Sequence, residues 1–332
     1  MQKIYVSVII PCFNSEKTIL KTLEALEKQN FDKPFEILIC DDGSKDNTVK
    51  IAKQFAKKSK IPVRVFANPH QGPAWQRNFG VKKAKGKIIV FTDSDCIPGK
   101  NWLKEMVKPI EKGIAHGVQG TYKTLNKESL IARFEGYEIE KRHERMKKQK
   151  YIDFIGTFSA AYLKEVFLKF GGFDTRFKTA SGEDPELSYR ISKAGYKLVF
   201  NPRAYVYHPH PSSLKKYLKQ KFYRGFWRVL MYEKHPDKIM KDSYTGIEVP
   251  VSVLSVILFI FFLFLSIFEK TFLALSFLFL AIFILANASS IIFMGKKEKK
   301  MYIIAPFLMF LRTFAWILGF LTGIIKLKIL KK

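Results

Sequence analysis

Hydrophobic and polar positions divide this chain into two regimes. Through the first two hundred residues, short apolar runs alternate with longer stretches of helical period. Tyr5–Cys12 (YVSVIIPC), Phe35–Cys40 (FEILIC), 62–67 and Lys87–Thr92 (KIIVFT) are apolar runs of strand length. Short, β-branched runs of this kind read as buried strands. Between the first two, Glu16–Gln29 carries Ile19, Leu20, Leu23 and Leu26 on one helical stripe, with Ser15 placed to cap it. Helices are likewise expected over about Asn47–Lys58, Trp75–Ala84 and Trp102–Lys112. The alternation predicts an α/β fold with a mainly parallel sheet and crossover helices. Farther on, Gly117–Tyr122 and Lys197–Tyr207 read as strands and Ser129–Lys150 as a long, charged helix. A small-residue turn at Gly156-Thr157 leads to a helix over Lys164–Phe170 and a Gly171-Gly172 break. Pro185 suits a first helical position, so a further helix is expected to begin there.

The second regime follows Val249. Val249–Phe268 is a run of 20 uncharged residues and Thr271–Met294 one of 24, parted only by Glu269-Lys270. At about 1.5 Å per residue each is long enough for the ~30 Å hydrocarbon core. A third candidate, Tyr302–Ile325, has Arg312 near its centre, a costly residue in lipid. Three crossings would put GKKEKK (295–300) and the tail KLKILKK (326–332) on opposite sides. The positive-inside rule wants both inside. This third segment is expected to span with Arg312 facing protein or lipid phosphate, or to dip in and return. Just before the spans, residues 211–241 hold nine Lys/Arg against two acidic residues, interleaved with aromatics. That pattern suits a basic amphipathic helix on an anionic membrane surface, or one packing its aromatics on the preceding domain. The expected division is therefore 1–210, 211–248 and 249–332.

Composition narrows the classes. The formal charge of +28 invites a nucleic-acid or membrane partner. With no nucleic-acid reader motif, and the charge accompanying apolar spans, the membrane is the expected partner and nucleic acid is not. The three cysteines, Cys12, Cys40 and Cys96, have no paired spacing, as expected of free thiols in a reducing compartment. Met1–Pro11 lacks the apolar core of a signal peptide, so the N-terminal domain is expected to face the cytoplasm.

The chemistry gathers at strand ends. KIIVFT runs straight into Asp93-Ser94-Asp95, and FEILIC into Asp41-Asp42-Gly43-Ser44. In an open α/β sheet, ligands bind beyond the carboxyl ends of the strands. Two close carboxylates repel unless a cation lies between them, and a divalent ion bridging phosphates is the natural occupant. Taken singly, each stretch also suits a turn or a helix cap. Two acidic ends in one sheet favour the ligand reading. Arg77, in the helix after the Gly/Pro-marked loop 68–78, is suited to phosphate oxygens or to an ordinary surface. Asp184, just before Pro185, is either a helix cap or a base in the crevice. His208, ending the last strand, is a metal ligand or a structural histidine.

Together VSVIIPCFN (6–14), DDGS (41–44), QRNFGVKKAKG (76–86), FTDSD (91–95), GGFD (171–174), GED (182–184) and YH (207–208) resemble the inverting nucleotide-sugar glycosyltransferases of family 2. The likeness runs from about Val6 to Tyr232. It implies a GT-A fold followed by C-terminal transmembrane helices. It also implies a nucleotide-sugar site of Pro11, Asn14, Asp41, Asp42, Arg77, Asp93 and Ser94. Asp95, with Asp93 and His208, would hold Mg²⁺ or Mn²⁺, and Asp184, beside Glu183, would be the general base. The expected donor is a UDP- or GDP-sugar, and a cytoplasm-facing site on a membrane anchor points to a lipid-linked, polyprenyl acceptor. The QxxRW motif of processive synthases is missing; Arg224-Gly225-Phe226-Trp227 is the nearest stretch, so single additions are expected. A polyprenyl-phosphate sugar synthase, and an inactive membrane-anchored binder of nucleotide sugars, are the alternatives.

Overall fold

The computed structural model describes residues 3–179 and 181–329; the last three residues of the KLKILKK tail lie outside them. Two compact units divide the chain, one formed by Met1–Asn126 and His143–Pro209, the other by Lys127–Arg142 and His210–Lys332.

In the first unit, β1 (Val6–Cys12) is followed by α1 (Ile19–Glu27), β2 (Phe35–Asp41), α2 (Thr48–Lys58), β3 (Val63–Ala67), α3 (Pro73–Lys83) and β4 (Ile88–Thr92). β1 lies parallel between β2 and β4, and β3 extends the sheet beyond β2. β1, β2 and β4 are buried along their whole length, as their largely apolar runs require of strands covered on both faces; the buried Ser7 and Glu36 satisfy each other at 2.7 Å. Then come the short β5 (Ile97–Pro98), α4 (Trp102–Glu111), β6 (Gly117–Thr124), α5 (Leu130–Lys147), β7 (Ser159–Leu163), α6 (Lys164–Lys169), α7 (Glu183–Lys193) and β8 (Leu198–His208). The sheet order is β3-β2-β1-β4-β7-β6-β8-β5. β7 enters antiparallel to β4 and β6, so the parallel half gives way to a mixed one.

Three local expectations are corrected. Ser15 does not cap α1; the helix starts later, and Ser15 instead accepts backbone hydrogen bonds from Thr18 and Ile19 through its carbonyl. The helix expected from Pro185 begins two residues earlier, at Glu183, because Gly182 (φ 112°) turns the chain into it. β7 was not foreseen at all. All three cysteines are free and buried, as expected.

The second unit holds the first turns of α5, then α8 (Leu214–Lys234), α9 (Glu248–Leu265), α10 (Thr271–Lys297) and α11 (Met301–Ile324). The last three are long and apolar enough to cross a membrane. α9 and α10 expose apolar side chains on most of their circumference, which water would penalise and lipid does not. The unit's own core includes Phe134, Tyr217, Val256, Phe283, Met294, Met301 and Met309.

Candidate active site

The parallel half of the sheet sets the carboxyl ends of β1, β2 and β4 side by side. After β1 the chain turns at Asn14, which takes a left-handed conformation (φ 49°) that asparagine tolerates. Its N–H donates to Ser44 Oγ at 2.8 Å, and its side-chain oxygen accepts from Lys45 N–H at 2.9 Å. Pro11, in β1, is buried. The loops after β1 and β2 are thus clasped together. Ser15 Oγ meets Ser94 Oγ at 2.8 Å, tying the β1 loop to the β4 loop as well.

The two carboxylates after β2 are spent on protein donors. Asp41 accepts from the N–H groups of Gly43 (3.1 Å) and Ser44 (3.0 Å) and from the Ser44 hydroxyl. Asp42 accepts from Gln71 N–H (2.7 Å), Gly72 N–H (3.1 Å) and Gln76 Nε2 (2.7 Å), and lies 2.8 Å from His70 Nδ1. Both are buried. Among the exposed groups at this end of the crevice are the rings of Phe13 and His70, whose centroids lie 4.8 Å apart.

Helix α3 organises the rest through three consecutive side chains. Gln76 holds Asp42. Asn78 pairs with the backbone of Phe173, donating to its carbonyl (2.8 Å) and accepting from its N–H (2.9 Å). Between them Arg77, 2% exposed, donates to Asp93 at 2.8 Å and to Glu183 at 2.9 Å. Burial works against a charged guanidinium, but Asp93 and Glu183 outweigh it and keep Arg77 charged. Its Nε is buried without a partner. One cation therefore joins the end of β4 to the start of α7, two points 90 residues apart in sequence (93 and 183). Sequence reading assigned Arg77 to the diphosphate; here both its terminal nitrogens are engaged by carboxylates.

Glu183 is buried and also accepts from Ser181 N–H at 2.8 Å. Desolvation first, and then the neighbouring Asp184, push its carboxyl up to about 8 against the pull of Arg77. Asp184 is partly exposed, and its carboxylate accepts from Thr157 N–H at 3.2 Å. Desolvation raises it too, opposed by Arg77 and the Thr157 hydrogen bond. At the β4 end, Asp95 lies 3.4 Å from His208 Nε2. Burial would raise the Asp95 carboxyl, but the hydrogen bond and charge of His208 prevail and hold it below the usual range. Asp95, Cys96 and His208 form the one grouping of possible metal ligands among the described residues. Cys96 had not been considered. Its thiol is buried and pushed well up, mainly by desolvation and then by Asp95 and Asp93. Asp93 turns to Arg77 instead. The carboxylate of Asp95 and the imidazole of His208 are donors a hard or borderline divalent ion accepts, with water and phosphate completing the shell.

A model described as glycosyl transferase family 2 matches residues 7–171. A Methanococcus voltae protein named dolichyl N-acetyl-alpha-D-glucosaminyl phosphate 3-beta-D-2,3-diacetamido-2,3-dideoxy-beta-D-glucuronosyltransferase is 30% identical over 251 residues, covering 69% of this chain and 74% of that one. The chain belongs to glycosyltransferase family 2. It is thus a transferase enzyme. An Escherichia coli relative of this family, UDP-Glc:alpha-D-GlcNAc-diphosphoundecaprenol beta-1,3-glucosyltransferase WfgD, is 33% identical over 135 residues, 40% of this chain and 52% of its own. Among solved structures, mannosyltransferase PcManGT from Pyrobaculum calidifontis, in complex with GDP-Man and Mn²⁺, superposes with a TM-score of 0.62 at 16% identity. That match covers 98% of this chain and 88% of the other. The family's fold is the GT-A fold, and the mixed sheet described above is that fold in this chain.

Proposed function

We propose that this family 2 enzyme transfers a sugar from a UDP- or GDP-sugar to a lipid-linked saccharide at a membrane, inverting the anomeric carbon in one displacement. The observation that carries the reading is the Asp93–Arg77–Glu183 bridge. Through it the partly exposed Asp184 is fixed in the same crevice as the acidic end of β4. A base and a leaving-group site that must act on opposite sides of one carbon need that rigidity.

The proton of the acceptor hydroxyl goes to Asp184 as the acceptor oxygen attacks the anomeric carbon and the bond to the diphosphate breaks. Glu183 does not face the substrate; buried against Arg77, it positions Asp184. Asn14, Ser44 and the Asp42-held segment His70–Gly72 frame the nucleotide end, with Pro11 and Asp41 beneath them. Ser94 stands at the diphosphate end. Asp95 and His208 would hold Mn²⁺ or Mg²⁺, with Asp93 close by, and the ion supplies positive charge for the departing diphosphate. The lipid-linked acceptor is supported by the three long apolar helices and by two relatives whose names specify dolichyl and undecaprenyl carriers.

The test is nucleotide release from a panel of UDP- and GDP-sugars by detergent-solubilised protein, with Mn²⁺ or EDTA, and with or without polyprenyl-linked lipid extract. Release from one donor, lost with EDTA and raised by lipid, is expected. Nucleotide binding with no release under any condition would make the chain an inactive binder. Unchanged transfer to bare polyprenyl phosphate by Asp184→Asn would make it a polyprenyl-phosphate sugar synthase.

A further inference from the structure

The third long apolar helix is packed in a way that decides its place in the membrane. α8 and α11 run side by side with their backbones in contact. A Cβ on Gly319 would collide with the carbonyl of Phe222, one on Gly225 with the carbonyl of Trp316, and one on Gly323 would lie 2.6 Å from the carbonyl of Phe226. Tyr232 and Phe320 rings meet at 6.2 Å, and Lys328 reaches Glu233 at 3.6 Å. The two helices are therefore matched in parallel from Phe222/Gly319 to Glu233/Lys328. At the near end Arg312 pairs with Glu138 of α5, which also accepts from Tyr217 at 2.9 Å, while Lys221 pairs with Glu135 at 2.8 Å.

Consider α11 as a span. From Arg312 to Lys328 it rises about 24 Å, nearly the whole hydrocarbon thickness. Lys219, Lys221, Arg224, Arg228 and Glu233 of α8 would be carried to the same depth, as would Glu135 and Glu138 of α5. Charges at mid-membrane are costly even when paired, and pairing with Glu135, Glu138 and Lys328 would still leave this many ionic groups inside hydrocarbon. α10 marks the level independently. Its end, from Ser289 to Glu298, is flanked by the polar side chains of α5: Lys141 donates to Ser289, Glu140 pairs with Lys297, and Arg133 with Glu298. That end stands outside the hydrocarbon, and α11 starts immediately beyond it. Meanwhile Ile303, Phe307, Phe314, Leu318, Leu321 and Ile325 form one exposed stripe on α11, and Arg312, Gly319 and Gly323 are buried on the other face.

We infer that α11 lies in the plane of the membrane surface, its apolar stripe seated at the boundary of headgroups and acyl chains of an anionic bilayer. Only α9 and α10 cross. The exposed Lys215, Lys216 and Lys219 of α8, with the lysines at positions 296–300, suit anionic headgroups. Two crossings return the chain to its starting side. Both basic segments then share one face, removing the conflict that three crossings create with the positive-inside rule.

Variants of the full chain with one added cysteine, in sealed vesicles of known orientation, test this, using a membrane-impermeant maleimide and the unsubstituted protein with its three buried cysteines as background. Lys296→Cys and Lys328→Cys are expected to react from one side and Lys270→Cys from the other. Reaction of Lys328→Cys from the side of Lys270→Cys would overturn the inference. A depth measurement guards against misassembly: nitroxides at Leu318→Cys and Leu278→Cys in anionic liposomes, probed with oxygen and a nickel chelate. The Leu318 probe is expected to be several-fold more accessible to the chelate than the Leu278 probe. Equal, deep burial of the two would equally reject an interfacial α11.

Discussion

Asp184 and Glu183 occupy one helical turn, yet their surroundings give them different work. Glu183 is sealed against Arg77, whereas Asp184 keeps a face toward the crevice. Both carboxyls are raised, chiefly by desolvation, and neighbours this close titrate as a pair. A base works only when deprotonated, so activity should fall as pH drops through that raised titration. The acid limb of kcat/KM is therefore expected above the ordinary aspartate value of about 3.9. Glu183→Gln loosens the Arg77 bridge and should lower the maximum, while the limb stays above the ordinary aspartate value because desolvation still raises Asp184. A wild-type limb at or below pH 4 would remove Asp184 from the role of base. Asp184→Asn keeps an acceptor for Thr157 N–H and so should fold. It is expected to lose roughly 10²–10⁴-fold in kcat, the usual worth of a general base, with donor affinity from calorimetry nearly unchanged.

At the scale of elements, α3 is where the site is assembled, and Arg77 is its most exacting residue. Removing a cation from between two carboxylates leaves the buried Glu183 without its donor, which costs about 1–3 kcal/mol. Arg77→Met should therefore unfold at markedly lower denaturant. Adding Glu183→Gln should cost less than the sum of the two single changes, because the two side chains are direct partners and each change removes the same contact. Additive losses in the double variant would show that the bridge is not the coupling. Much of this scaffold was legible beforehand. β1, β2 and β4 announced themselves as largely apolar runs because both their faces are covered, and the acidic residues at their ends fell where an open sheet binds ligands. β7 was not legible. Ser159, Ala160 and Ala161 have little strand preference of their own, and their state is set by pairing with β4 and β6, partners some 40 to 70 residues away. Arg77 was noticed but its carboxylate partners were not, since a guanidinium suits phosphate and carboxylate alike and only the fold brings Glu183 within reach.

The whole molecule joins a family 2 glycosyltransferase domain to helices long and apolar enough to cross a membrane, and on the proposed function the value of that union is kinetic. An enzyme and an acceptor confined to one bilayer meet in a thin layer, at an effective concentration far above the bulk value. Linkage of this kind raises apparent affinity by about 10²–10⁴-fold without any new contact at the active site. The same saccharide on a long polyprenyl carrier should then exceed its short-chain, water-soluble form in kcat/KM by a factor of that order in reconstituted liposomes. Surface dilution separates this from a pocket that simply grips the chain. Inert lipid added at fixed bulk acceptor concentration lowers the two-dimensional concentration alone, so the rate should fall with the mole fraction of acceptor. A tight lipid-chain pocket would hold the rate constant under dilution, and equal rates on the soluble form would deny the anchor any part in finding the acceptor.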